Sequence, residues 1–275
     1  MKKKNLENLE EMKKYFLWYY SEKIEDYFSM NSVHGRCQLP CEVDHPHYWS
    51  NIPFKELSEL DRNVTYDWAV FGCSITFGAE LPIKDTWPYL WGEKNRSSVL
   101  NFGTPGSGMD SIWQNIKASS RDWKFKKVII LFPNFHRKMA IFKKDPYILR
   151  WPIGVNHGNA TPWDWNYYQD PIGQDLAIDR TLIDQQSEKT RRELVDDRQG
   201  TYSKKILDDL IKFCESKYET FYSTWDIEVD EYLSTKGIPR LPMYDASGPK
   251  ARDGIHPTRL QNQRFVDTII KEIYQ

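Results

Sequence analysis

A chain of 275 residues has room for one large domain, or one domain with an appendage. With 38 Lys and Arg against 39 Asp and Glu, it carries no global attraction for nucleic acid or an anionic membrane surface. Its 4 cysteines are too few for a disulfide framework, and no apolar run is long enough to span a bilayer.

The basic start, Met1 to Glu7, leads into no apolar signal core, so a cytoplasmic protein is expected. Residues 4–30 read as a helix, because Leu9, Met12, Phe16, Tyr20, Ile24 and Tyr27 recur at three- and four-residue steps. This aromatic stripe suits packing on the main domain or self-association. Residues 31–65 read as irregular, broken by Pro40, Pro46 and Pro53, with a short helical turn expected over Glu56 to Leu60. Cys37, Cys41, His45 and His47 crowd this stretch with zinc-type ligands, although their spacing matches no familiar zinc module. The alternative is a loop of reduced thiols and surface histidines.

From Tyr66 the pattern becomes alternating strands and helices. Strands are predicted over Asp67–Phe71, Ser98–Phe102, Val128–Phe132, Glu219–Trp225 and Leu241–Tyr244. Helices are predicted over Thr86–Lys94, Met109–Trp123, a stretch from Tyr202 to Cys214, Val229–Lys236 and Thr258–Tyr274. Residues 136–200 interrupt the rhythm, first with Trp151, Trp163, Trp165, Tyr167 and Tyr168, then with a charged run from Asp179 to Arg198. The aromatic half is expected to be ordered. The charged half reads as a solvated helix or a mobile loop. The organisation is therefore an extension over 1–65 and an α/β domain over 66–275 that carries the insertion 136–200. Strand–helix alternation predicts a parallel sheet with helices on both faces and ligands at the carboxyl ends of its strands.

Five residues converge on that edge. Ser74, Gly103 and Asn134 each follow a predicted strand, and Asp253 and His256 lie beyond the last one. A serine hydroxyl is a weak nucleophile until a base takes its proton. His256 can be that base, and Asp253 can orient its ring. The N–H groups of Ser74 and Gly103 and the amide of Asn134 are candidate donors to an oxyanion. Such chemistry needs no cofactor. The Gly-rich run Gly103, Gly106, Gly108 lacks the Lys-Ser/Thr of a phosphate-binding loop, and Thr76 stands where the α/β-hydrolase elbow has glycine.

The segment Gly72-Cys73-Ser74-Ile75-Thr76-Phe77-Gly78, with Asn101-Phe102-Gly103 and Asp253-Gly254-Ile255-His256, resembles the blocks of the SGNH (GDSL-type) hydrolases. The resemblance spans roughly residues 66–275 without the insertion. It implies a flavodoxin-like three-layer α/β/α fold with about five parallel strands, and ester hydrolysis through an acyl-enzyme. Ser74, Asp253 and His256 would be catalytic, and Ser74, Gly103 and Asn134 would form the oxyanion hole. Two positions depart from the pattern: Cys73 replaces an acidic residue, and Pro133-Asn134-Phe135 replaces a third block that usually reads G-x-N-D. The Trp-rich insertion suits stacking on sugar faces, with Trp151, Trp163 and Trp165 as candidate contacts, so an O-acyl or O-acetyl carbohydrate is the expected substrate. A lipid or thioester acyl group is the alternative. A catalytically decayed glycan-binding or structural protein is a further one.

Overall fold

The computed structural model describes residues 18–19, 49–51, 54–56, 61–79, 81–104, 106–144, 147–155, 162–163, 180–251 and 256–274. Its centre is a six-stranded sheet. Four strands are parallel: β4 (Thr65–Gly72), β5 (Val99–Asn101), β6 (Lys124–Phe132) and β10 (Glu219–Thr224). The remaining two, β2 (Trp49–Asn51) and β3 (Phe54–Glu56), extend the β5 edge antiparallel, which gives the order β10-β6-β4-β5-β2-β3.

Alternation along the strands sorts the core into two layers. Ala69, Phe71, Val128, Ile130 and Phe132 face one way. They meet α3 (Met109–Asp122), α5 (Thr201–Glu215) and α6 (Ile227–Thr235), which bury Ile112, Ile116, Leu207, Leu210, Val229 and Leu233. Trp68, Val70, Ile129 and Leu131 face the other way, onto Trp87 and Trp91 of α2 (Trp87–Asn95) and Phe265, Val266 and Ile269 of α7 (Arg259–Tyr274). Edge-on aromatic pairs lock that second layer, with Trp68 to Trp91 at 5.0 Å and Trp87 to Phe265 at 5.5 Å between ring centroids. The result is the expected α/β fold with helices on both faces. Burial also pushes the Cys214 thiol up to about 12, with Glu215 adding to it, so this cysteine is an inert packing residue.

Several expectations are corrected. Leu241–Tyr244 is not a fifth strand. It runs beside β10, to which its backbone donates from Leu241 N to Tyr222 O (2.7 Å) and from Tyr244 N to Thr224 O (2.7 Å). The donors are three residues apart and their acceptors two, so no regular ladder register forms. Within the stretch read as an N-terminal helix, Trp18–Tyr19 forms strand β1, and the other residues of 4–30 lie outside the described residues. Bulky aromatics favour a strand as readily as a helix once a partner strand exists. The irregular stretch 31–65 supplies β2 and β3, and Glu56, expected to begin a helical turn, ends β3. Cys37, Cys41, His45 and His47 lie outside the described residues.

The insertion builds a second sheet. β7 (Arg137–Lys144) and β8 (Tyr147–Val155) form an antiparallel hairpin, and β1 and β9 (Pro162–Trp163) both pair with β8. The charged run folds as helix α4 (Arg180–Asp196), which lies along this hairpin and buries Thr190 and Leu194. It is therefore packed on one face rather than solvated all round. Among the described residues no helix is long and apolar enough to cross a membrane. No group of three or more His, Cys, Asp or Glu is placed to hold a metal ion among them either.

Candidate active site

Ser74 opens a one-turn helix, α1 (Ser74–Phe77), directly after β4. Cys73 precedes it in extended conformation (φ −95°, ψ −151°), so the chain turns sharply from strand to helix at the serine. Ser74 is half-buried, whereas Cys73, Thr76 and Phe77 are buried. The order of the parallel strands places β4 between β5 and β6. The helix after β4, α2, packs on one face of the sheet, whereas α5, which leads from β6 to β10, packs on the other. The switch point therefore lies between β4 and β6, and ligands lodge in the crevice there.

The β5 side closes tightly on α1. Thr104 N donates to Gly72 O at 2.9 Å and Phe102 N to Val70 O at 2.8 Å. A Cβ on Gly103 would stand 2.4 Å from Phe77 N, and one on Gly72 would stand 2.1 Å from Thr76 Oγ1. Gly103 needs glycine because the α1 backbone passes it without space for a side chain, and Gly72 because the Thr76 side chain and Leu131 O fill the space. The Gly103 N–H, expected to face an oxyanion, instead donates to Asn101 Oδ1 at 2.8 Å. An asparagine two residues before an N–H readily folds back to accept from it, and that local turn engages the hydrogen. Behind the loop, Asn115 Nδ2 donates to Thr104 Oγ1 (2.8 Å) and Ser107 Oγ donates to Thr104 O (2.7 Å), all of them buried.

The β6 side is charged. Gly72 pairs with Leu131 in register, so Pro133 and Asn134 emerge beside Cys73 and Ser74. Asn134 is half-buried, and its Oδ1 is buried without a hydrogen-bond partner among the described residues. Arg137 follows. It is 8% exposed, and its guanidinium lies 5.2 Å from the ring centroid of Trp225. Burial pulls its pKa down, while the nearby Cys73 and Asp226 side chains work against that. Asp226 caps α6, accepting from Glu228 N (3.1 Å) and Val229 N (3.2 Å). Burial nevertheless lifts its carboxyl above the usual range. Farther out, His136 Nε2 lies 3.1 Å from Glu228 Oε2, and Lys204 Nζ lies 3.6 Å from Glu228 Oε1.

His256 is buried in the segment that enters α7. The first turns of α7 are fastened to the same end of the sheet. Asn262 Nδ2 donates to Asp85 O (3.0 Å), Arg259 pairs with Asp85 (3.2 Å), and Tyr244 OH donates to Asn262 Oδ1 (2.7 Å). Ser74, Gly103, Asn134 and His256 thus share the carboxyl edge. Asp253 and Trp165 lie outside the described residues, while Trp151 falls in β8 and Trp163 in β9. Sequence reading took Asn101 only as part of a motif and did not single out Asn115, Arg137 or Asp226. Asn101 carried a usable signal, a polar residue ending an apolar strand two positions before a glycine. Arg137 carried none, since an arginine at the start of a strand ordinarily reads as a surface residue.

No protein-family model matches the chain, and no curated protein matches its sequence. Among solved structures, it is similar to a member of the lipolytic protein G-D-S-L family from Veillonella parvula, with a TM-score of 0.44 and 12% identity over 76% of this chain and 97% of that one. It is likewise similar to a G-D-S-L family protein from Desulfitobacterium hafniense, with a TM-score of 0.42 and 13% identity over 75% of this chain and 98% of that one.

Proposed function

We propose that the chain is a serine hydrolase that cleaves carboxylic esters through an acyl-enzyme, as an SGNH-type esterase does. One observation carries this reading: Ser74 is half-buried at a sharp strand-to-helix turn at the end of β4, beside the switch point between β4 and β6. A serine at such a turn is positioned to present its hydroxyl to a ligand in that crevice.

In the proposed cycle, His256 takes the Ser74 proton as Oγ attacks the ester carbonyl carbon, with Asp253 orienting the imidazole. The tetrahedral oxyanion is held by the Ser74 N–H and the Asn134 amide. From the loop after β5, the Gly106 N–H is the better third donor, because the Gly103 N–H is engaged by Asn101. His256 then protonates the leaving alcohol, and a water deprotonated by His256 releases the acid and restores Ser74. The substrate class we favour is an O-acylated carbohydrate, recognised by the tryptophans of the insertion, Trp151, Trp163 and Trp165. Lipid and thioester acyl groups are the competing substrates.

A second reading has its own support. The engaged Gly103 N–H and the unusual Pro133-Asn134-Phe135 segment also suit a binding protein that has lost turnover. A fluorophosphonate probe separates the two. The hydrolase reading expects covalent labelling at Ser74, p-nitrophenyl acetate turnover, and loss of both in Ser74→Ala with thermal unfolding unchanged. Turnover that survives in Ser74→Ala, or a wild-type protein that never labels at Ser74, ends it.

A further inference from the structure

The last residue of β5, Asn101, is 1% exposed and uses both ends of its side-chain amide. Its Nδ2 donates to Thr76 O at 3.0 Å, within the helix that Ser74 opens. Its Oδ1 accepts from Gly103 N at 2.8 Å, in the loop that follows β5. The partners fix the amide's orientation, since the Thr76 carbonyl can only accept and the Gly103 N–H can only donate. Through its backbone Asn101 also pairs with Val70 of β4 and with Trp49 of β2. The residue therefore stands between the strand that delivers the serine, the helix that presents it, and the loop opposite.

We infer that Asn101 is a positioning residue for the Ser74 hydroxyl, acting as a clamp between α1 and the Gly103 loop. The inference rests on the hydrolase reading of Ser74. The helix it steadies is a single turn and leaves most of its peptide groups without intrahelical partners. A one-turn helix has little stability of its own, so tertiary bonds hold it in place. The Asn101 bond to Thr76 O is such a tertiary bond, alongside the Thr104 N to Gly72 O bond at 2.9 Å just before the serine. The loop end of the clamp cannot drift, because Thr104 is held from behind by Asn115. Releasing the clamp lets α1 rock about the Cys73 turn, which moves Oγ relative to His256 and moves the Ser74 N–H relative to the oxyanion. Substrate binding at more distant contacts is untouched, so the loss falls on kcat rather than KM.

The two bonded neighbours, a carbonyl and an N–H, do not titrate, and this makes Asn101→Asp diagnostic. A neutral carboxyl reproduces both bonds, its O–H donating to Thr76 O and its C=O accepting from Gly103. An ionised one only accepts and repels the Thr76 carbonyl. Burial raises the pKa of such a carboxyl. The activity of Asn101→Asp relative to wild type should therefore climb as pH falls.

The test measures p-nitrophenyl acetate kinetics and fluorophosphonate labelling for wild type, Asn101→Ala, Asn101→Asp and Ser74→Ala, below each protein's unfolding temperature. Asn101→Ala should lose about tenfold to a hundredfold in kcat with KM unchanged, the scale of an ångström of misplacement. If Asn101→Ala does not fold, the Asn101→Asp pH series carries the test alone. A folded Asn101→Ala that labels and turns over at the wild-type rate overturns the inference and leaves the hydrolase reading standing. So does an Asn101→Asp to wild-type ratio that stays flat with pH. A wild-type protein that never labels at Ser74 overturns the hydrolase reading, and the clamp with it.

Discussion

The two flanks of Ser74 are built from opposite materials. On the β5 side the groups that tie the loop down are neutral: Asn101, Thr104, Ser107 and Asn115, joined to each other and to the backbone. On the β6 side the groups are charged or titratable: Arg137, Asp226, His136, Glu228 and Lys204. Neutral amides and hydroxyls are cheap to bury once bonded, and they hold their geometry at any pH. Buried charges are costly, and their value depends on what stays beside them. The contrast assigns geometry to one flank and electrostatic environment to the other.

The largest effect should come from the charged flank. Arg137→Met removes a buried cation from Trp225 and leaves Asp226 without it, so urea unfolding should show a loss of about 3 kcal/mol. A variant as stable as wild type would mean the cation is no better than an apolar side chain of its size. Next, Asn115→Ala on the neutral flank should cost about 1–2 kcal/mol, because Thr104 loses a buried partner. That loss should be the same at low and high salt, whereas a salt-dependent loss would blur the distinction between the flanks.

A smaller effect is pH-dependent. Asp197 accepts from Thr201 N (2.8 Å) and Tyr202 N (2.9 Å) at the start of α5. Burial opposes its ionisation, but those bonds and nearby His136 outweigh it and hold the carboxyl below its usual value. The unfolded chain therefore binds the proton first as pH falls. Asp197 stabilises the fold fully above the ordinary carboxylate range, and that contribution disappears as pH drops through its lowered value. Thermal melts of wild type and Asp197→Asn should differ near neutrality by less than the Asn115→Ala loss and converge in acid. The smallest change belongs to Glu228→Gln, whose pairs with His136 and Lys204 reach the surface. A shift within about 0.5 kcal/mol is expected in the same melts.

Much of the parallel sheet was legible because its strands are short apolar runs ending in glycine or proline, as at Phe71-Gly72 and Phe132-Pro133. The serine was legible for the same reason. What failed depended on partners distant in sequence. Trp18 and Tyr19 read as helix because their pairing to Arg150 and Leu149 leaves no local trace. Leu241–Tyr244 looked like a strand by composition, yet its two bonds to β10 do not keep a ladder's register. The Asn101 clamp was hidden by similar means. Its acceptor end is local, but its donor end reaches back to Thr76 in another element.

The strands contributed by the extension have a bearing on how the chain is made. β1 waits for β8, and β2 waits for β5, so neither extension strand is paired until a partner from farther along the chain is in place. Closing such long loops slows folding and prolongs the exposure of whatever waits. Of the two, β1 waits for the more distant partner. The open edge of β5 is where a stray strand could pair before β2 arrives.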